Sequence, residues 1–204
     1  MSKFGLVVLG AHIGIHIKGE VKSLLPEKVL LVEPVPHNVT AIKKNLINLE
    51  NVIIEQVAIS NKKEIKNFYF VKEASIHKLK KHWSSGIGSF NKQHIFDHKS
   101  KRFKIEEEDI EEVSINTLRF KDIVEKYQIK QINKLLIDVE GSEYEILNDI
   151  DFNSLEIKEI LFEYKHFDGY KKTGQKLEET LEKLNINGYK TTKIDEENIL
   201  AKKT

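Results

Sequence analysis

Asn133-Lys-Leu-Leu-Ile-Asp-Val-Glu-Gly-Ser-Glu-Tyr-Glu-Ile-Leu147 is the stretch that decides the fold. Leu135-Leu136-Ile137 is a short apolar run. Asp138, Val139, Glu140 and Gly141 follow, and Tyr144, Ile146 and Leu147 then recur among acids. That order predicts a buried strand ending in carboxylates, a glycine turn and a helix start. In open α/β sheets ligands bind outside the carboxyl ends of the strands, which is where Asp138 and Glu140 fall. The two acids share a face if the strand continues through them, and sit in the turn if it has already ended. Paired carboxylates can position an ammonium group, act as a base or bind a hard cation. The plainer alternative is that Glu140 caps the next helix.

A second strand-loop-helix lies near the N-terminus. Leu6 to Leu9 reads as a buried strand, Gly10-Ala-His-Ile-Gly14 as a turn in which the backbone can approach a ligand, and a segment from Ile15 runs to Leu25. The spacing G-x-x-x-G is neither the dinucleotide fingerprint nor a P-loop. Val29 to Val32 is the next strand and ends in Glu33. A carboxylate there can accept hydrogen bonds from a ribose 2′,3′-hydroxyl pair. A helix is predicted from about Asn38 to Leu49, with Val39, Ile42, Leu46 and Leu49 on one face, and a third strand over Val52 to Val57. β-α-β-α-β in the first sixty residues implies parallel strands with helices on both faces. Farther on, Ile157 to Phe162 is a strand ending near Glu163 and His166. Leu177, Leu181 and Leu184 mark a helix that Gly188 ends, and 189–194 with 198–202 form a closing antiparallel hairpin.

The chain has 204 residues, 40% hydrophobic and 32% charged, with a formal net charge of +1. That suits one globular domain over 1–204 and gives no global case for nucleic acid. Cysteine is absent, which excludes disulfides and thiolate metal sites and fits a cytoplasmic protein. No signal peptide and no apolar run of about 20 residues is read, so no membrane partner is expected.

Residues 64–71 read as a hairpin strand, 113–115 as a short strand, and Asn116 or Thr117 as the cap of a helix reaching about Tyr127. Residues 72–104 hold nine Lys or Arg and two acids, with Trp83, Phe90, Phe96 and four histidines. The acidic run from Glu106 to Glu112 follows. The stretch 72–112 is expected to be an irregular insertion over the active face, its opposite charges meeting each other. Cations among aromatics can also track a nucleic-acid backbone, though such a run is more often solvated surface. His94 and His98, and His12 and His16, have the i,i+4 spacing of a zinc pair, but no third ligand follows and no metal is assigned. His166 is expected to face the same pocket as Asp138, as a general base or substrate contact.

Taken as a set, these segments resemble the FkbM-type methyltransferases, within the S-adenosylmethionine-dependent class I, Rossmann-like superfamily. The resemblance covers about residues 5–165. It is carried by Val8-Leu-Gly-Ala-His-Ile-Gly14, by Val32-Glu33-Pro34 with Asn38, by Val57-Ala-Ile-Ser-Asn61, and above all by Ile137-Asp-Val-Glu-Gly-Ser-Glu-Tyr-Glu-Ile-Leu147. It implies a mostly parallel seven-stranded sheet with an antiparallel C-terminal hairpin. It also implies S-adenosylmethionine as cofactor, with Gly10 and Gly14 flanking its methionine end, Glu33 holding the ribose, the Gln56–Ala58 region near the adenine, and Ala11, His12 and Asn38 among the cofactor-binding residues. Asp138, Glu140 and His166 would line the reaction face, with Asp138 also near the cofactor. Val8 stands where the family places an acid and Leu136 where it places a lysine. The implied reaction is methyl transfer to a hydroxyl of a small-molecule or carbohydrate acceptor. The alternatives are an adenosine-ligand module without turnover and an RNA methyltransferase; a homo-oligomer stays open.

Overall fold

β1 (Ser2–Leu9) is apolar from Leu6 onward and becomes an interior strand of the main sheet, between β8 and β2. The chain then forms α1 (Lys18–Ser23), β2 (Lys28–Val32), α2 (Pro36–Asn45) and β3 (Val52–Glu55). β4 (Ala58–Ile59) and β5 (Ile65–Val71) lead into α3 (Glu73–Leu79), a 3₁₀ turn (His82–Gly86), β6 (Gly88–Ser89) and α4 (Lys92–Asp97). After a second 3₁₀ turn (Glu107–Asp109) come β7 (Ile110–Leu118), α5 (Phe120–Lys126), β8 (Ile129–Ile137) and α6 (Glu143–Asp149). β9 (Glu156–Glu163), α7 (Gln175–Ile186), β10 (Tyr189–Lys193) and β11 (Asn198–Lys203) complete it. This computed structural model describes residues 2–79, 82–97, 104–169 and 172–204, with 82 and 83 as backbone only.

The main sheet has seven strands in the order β10-β11-β9-β8-β1-β2-β3. β1, β2, β3, β8 and β9 run parallel, and β11 and β10 return antiparallel as the expected hairpin. An irregularity between Phe4 and Leu6 sets the pleat of β1. Phe4, Val7 and Leu9 then join the core beneath α5, α6 and α7, while Leu6 and Val8 face the core under α1 and α2. Both faces are therefore covered, and Val8 is fully buried in the second core. From β1 the chain winds outward to β3 on one side and later through β8 and β9 on the other. The reversal leaves a crevice between the carboxyl ends of β1 and β8, where ligands of such sheets bind.

Several boundaries differ from the sequence reading. α2 begins at Pro36, not Asn38, because proline at a first helical position lacks only an N–H that has no helical partner there. β3 stops at Glu55, and Ala58–Ile59 leave it to pair with Thr117 and Leu118 in a second, four-stranded sheet, β4-β7-β5-β6. Residues 64–71 are not a hairpin partner of β3 but pair antiparallel with β7. The short strand expected at 113–115 spans nine residues, because Glu112, Ser114 and Asn116 alternate out to solvent and mask its pattern. Asn116 and Thr117 belong to this strand and cap no helix. Arg119 and Asp122 provide the capping box of α5, and Thr117 Oγ1 instead donates to Lys62 O at 2.7 Å.

The described part of 72–112 holds regular elements, α3, β6, α4 and two 3₁₀ turns, in place of the expected irregular stretch. It closes a core of its own from Val71, Leu79, Ile87, Ile95, Ile105 and Ile110. Its opposite charges do meet: Lys78 pairs with Asp109 at 3.0 Å and with Glu108 at 3.2 Å, and Lys92 pairs with Glu107. His98 and the cluster 99–102 lie outside the described residues. Among the described residues no helix is long and apolar enough to cross a membrane.

Candidate active site

The glycine turn is fixed by the two strands beside it. Gly10 has φ +88°, and a Cβ there would stand 1.7 Å from the carbonyl oxygen of Asp138, so only glycine fits. The N–H groups of Gly10 and Ala11 both donate to Val32 O, at 3.0 and 3.1 Å. That turns the loop towards the end of β2, where Glu33 waits. Glu33 is 4% exposed and accepts three hydrogen bonds: from His12 N at 2.8 Å, Val35 N at 3.1 Å and Asn38 Nδ2 at 3.1 Å. Burial pushes its carboxyl up to about 7 against the pull of those donors. Asn38 Nδ2 also donates to Ser85 O at 2.8 Å, and His12 Nε2 meets Ser85 Oγ. The 3₁₀ turn His82–Gly86 is thus latched onto the glycine turn and α2. Gly14, φ +69°, lies farther back against Ile42 of α2 and Leu46 just after it.

β8 ends at Ile137, so Asp138 and Glu140 sit in the turn. Asp138 N donates to Leu9 O at 2.9 Å, continuing the β1–β8 pairing by one bond. Glu140 adopts a left-handed conformation, φ 57°, unusual for a side chain with a Cβ. Glu140 does not cap α6. Ser142 stands at the cap position, without a side-chain cap bond, and Glu143, 1% exposed, braces the turn before α6: its carboxylate accepts from Val139 N at 2.9 Å and Gly141 N at 3.0 Å. Burial raises the Glu143 carboxyl to about 7.

Glu140 instead gathers two imidazoles and an ammonium. Its Oε2 stands 3.2 Å from His94 Nε2 on α4, 3.3 Å from His166 Nε2 after β9, and 3.8 Å from Lys165 Nζ. Burial alone would raise its carboxyl, but the bonds from His166 and His94 and the charge of Lys165 outweigh that and hold it well below the usual range. Lys165 also binds Glu163 Oε1 at 2.6 Å. Burial lowers the Lys165 ammonium, yet Glu140 and Glu163 more than reverse this and raise it. Glu163 is pushed up to about 8 by burial and by the charge of Asp138. Asp138 is open to solvent through the pocket mouth yet crowded by protein on its other sides. That crowding, followed by the charge of Glu140, raises its carboxyl to about 6.

Gly10, Glu33, Ala58, Asp138 and Glu140 line one pocket with Phe68, Gly86 and Phe90. Ala11 lies buried beneath it, and His12 and Asn38 buttress Glu33. The pocket is narrow, about 40 Å³ of free volume, with Gly86 and Gly88 among its lining residues. A roomier hollow of about 730 Å³, lined by Phe120, Ile129, Asp149 and Leu155, lies at the amino ends of β8 and β9, away from these groups. Lys165, Glu143 and Ser85 carried no signal in the sequence, and His94 carried one only as a partner of His98.

The family model for the methyltransferase FkbM domain matches residues 9–191. No curated protein matches. Among solved structures, a Streptococcus mutans protein described as a methyltransferase and bound to SAH is similar in fold at 10% identity and a TM-score of 0.50, over 100% of this chain and 91% of that one. Precorrin-6y C5,15-methyltransferase from Geobacter metallireducens gives 13% identity and a TM-score of 0.48, over 100% of this chain and 82% of that one. Aeropyrum pernix fibrillarin, with natively bound S-adenosyl-L-methionine, gives 10% identity and a TM-score of 0.48, over 98% of this chain and 66% of that one.

Proposed function

The chain belongs to the FkbM methyltransferase family, and on that premise we propose that it transfers a methyl group from S-adenosylmethionine to a hydroxyl of a small-molecule or carbohydrate acceptor. The observation that carries this reading is the convergence of Gly10, Glu33 and Asp138 on one pocket at the switch point of the sheet. The donor set suits an adenosine. A carboxylate offers about four lone-pair sites, and Glu33 has three of its own occupied by His12, Val35 and Asn38. One ribose hydroxyl can therefore bond Glu33 directly. A second needs Asn38 to give up its bond to Oε1, and Asn38 keeps Ser85 O as an alternative acceptor. Ala58, Phe68 and Phe90 supply apolar walls for a purine.

When bound, S-adenosylmethionine supplies an electrophilic methyl on a sulfonium. The acceptor oxygen forms the new C–O bond as the C–S bond breaks, and the electron pair stays on sulfur. The acceptor proton must leave. Asp138 suits the role of base better than Glu140, since its carboxyl is open to the pocket and raised to about 6, while Glu140 is occupied by His94, His166 and Lys165 and its carboxyl is held low. His94, Glu140 and His166 then hold the acceptor, and closure of residues 84–88 excludes water. The ion pairs between Lys78 or Lys92 and the acids at 107–109 reduce the charge left for RNA, which favours the small acceptor.

Calorimetry with S-adenosylhomocysteine tests the cofactor assignment. Wild-type protein should bind it, and Glu33→Ala should weaken binding about 100-fold, roughly 2–3 kcal/mol for a hydrogen bond to a charged group. Equal affinity in the two proteins defeats the ribose assignment. Transfer of label from methyl-labelled cofactor to a hydroxylated acceptor in a cell extract tests turnover, and binding without transfer across a broad panel supports a binding module instead.

A further inference from the structure

The group formed by His94, Glu140 and His166 is more than a hydrogen-bonded acid. Both Nε2 atoms point at the same carboxylate oxygen, at 3.2 and 3.3 Å, and the three potential ligand atoms lie within 4.8 Å of one another. Ligands about 2.0–2.1 Å from a metal, at tetrahedral or octahedral angles, stand about 3.0–3.4 Å apart. The two histidine–glutamate separations already have that spacing. The side chains are 17%, 17% and 12% exposed, sheltered yet open towards the pocket. They come from three separate elements: α4 of the insertion, the turn after β8 and the segment after β9. Glu140 is held there with a left-handed backbone, a conformation that structures retain mainly at functional positions.

Charge points the same way. Oxygens of Asp138, Glu143 and Glu163 cluster within 4.8 Å of one another beside this group. With Glu140 they make four carboxylates, faced by the ammonium of Lys165, which is already paired with Glu163 at 2.6 Å. This clustering of carboxylate oxygens offers ligand atoms to a dication. The acid-only cluster is the poorer place for it, because Glu143 is committed to backbone amides and Glu163 to Lys165.

We infer that His94, Glu140 and His166 hold one first-row divalent metal ion of the zinc class, with open coordination positions facing the pocket. Two imidazoles and one carboxylate suit zinc, iron(II) or manganese better than magnesium or calcium, which favour all-oxygen sets. Each imidazole would bind through Nε2 with its proton on Nδ1. Lys165 would keep its bond to Glu163. The open positions would take an acceptor oxygen, which explains why the insertion reaches across the pocket at all. This last step, and only it, rests on the methyltransferase reading.

The test uses the full chain stripped with a chelator and titrated with zinc chloride by calorimetry, in parallel with S-adenosylhomocysteine. One saturable zinc per chain is expected, weakened at least 100-fold in His94→Ala and in His166→Ala, while His94→Ala binds S-adenosylhomocysteine within threefold of wild type. Absence of a saturable site, or unchanged zinc affinity in His94→Ala, overturns the inference. Should the variants unfold, cobalt(II) in the wild-type chain decides the matter. Two paramagnetically shifted imidazole N–H resonances support the site, and their absence overturns it. Zinc binding without S-adenosylhomocysteine binding supports the metal site and defeats the proposed function. The reverse result defeats the metal site alone.

Discussion

On the β1–β2 side the pocket is a closed circuit of bonds drawn almost entirely from residues 9–38. On the β8–β9 side it borrows His94 from 46 positions before Glu140 and His166 from 26 positions after it. The first half is held by uncharged donors: amides of Gly10, Ala11, His12 and Val35 and the Asn38 side chain. The second half is ionic, crowded with carboxylates and their cationic partners. Amide circuits make a rigid cradle whose members cannot be removed without loss of structure. Charged clusters are expensive to bury and are kept where chemistry uses them. Variants in the first half should therefore act chiefly on stability and cofactor affinity, and variants in the second chiefly on turnover or metal.

The sharpest break of the first half is Gly10→Ala. The added Cβ would meet Asp138 O at 1.7 Å, and alanine is poorly accommodated at φ +88°. Separating β1 from β8 at their carboxyl ends should cost on the order of 4 kcal/mol, combining overpacking and backbone strain. Chemical denaturation checks this, and a loss below about 1 kcal/mol would show that the two strand ends can part freely. The matching change in the second half is Asp138→Asn. It should lower kcat by about 10²–10³-fold, the usual share of a general base, while leaving S-adenosylhomocysteine affinity within about threefold. In the wild type kcat/KM should rise as pH increases through about 6, where Asp138 ionises, and the variant should lose that limb. A retained limb would move the base elsewhere, His166 first.

The same contrast governs what could be read from the sequence. The order of strands and helices, the glycine turn and the acid ending β2 follow from local periodicity and spacing, and they hold in the structure. Asp138 and Glu140 were legible as strand-end acids for the same reason. The partners of Glu140 were not. His94 is specified by how the insertion folds onto the sheet, and no interval along the chain encodes that distance. The i,i+4 pattern pointed it towards His98 instead. Lys165 and Glu163 look like ordinary strand-end charges until Glu140 is placed beside them. β7 was underestimated because its outward face is polar, and Thr117 was misread as a cap because a hydroxyl suits a strand end as well as a helix start.

A pH series of thermal melts sharpens the comparison at smaller scale. Glu33, Glu143 and Glu163 have carboxyls raised from 4.5 to about 7, about 7 and about 8. Each binds its proton more tightly folded than unfolded, so its contribution is full below about 4.5 and is lost as pH rises through 7 to 8. Glu140 runs the other way: its carboxyl is lowered, so its contribution is present above 4.5 and is lost as pH falls below that. Stability should peak near pH 5–6, with Tm about 5 °C lower at pH 8.5, equivalent to roughly 2 kcal/mol for a chain of this size. A Tm that climbs steadily to pH 8.5 would mean that these buried acids ionise without penalty.

The smallest expected effect falls where the two halves touch. Ser85 belongs to the insertion, yet its carbonyl accepts from Asn38 and its hydroxyl meets His12, so it fastens the insertion to the uncharged cradle. Ser85→Ala removes only the hydroxyl contact. One hydrogen bond contributes about 1 kcal/mol, so bound S-adenosylhomocysteine should leave about fivefold faster in stopped-flow measurements, with Tm lowered by no more than about 3 °C. The direction matters more than the size. With the pocket this narrow, ligand must enter and leave through movement of residues 84–88, and a weakened latch shortens residence. If Ser85→Ala leaves the dissociation rate untouched, the 3₁₀ turn is fixed to the sheet by Asn38 alone and the ligand takes another way out. If release speeds up as expected, the insertion has two tasks, closing over the cofactor through Ser85 and facing the acceptor through His94.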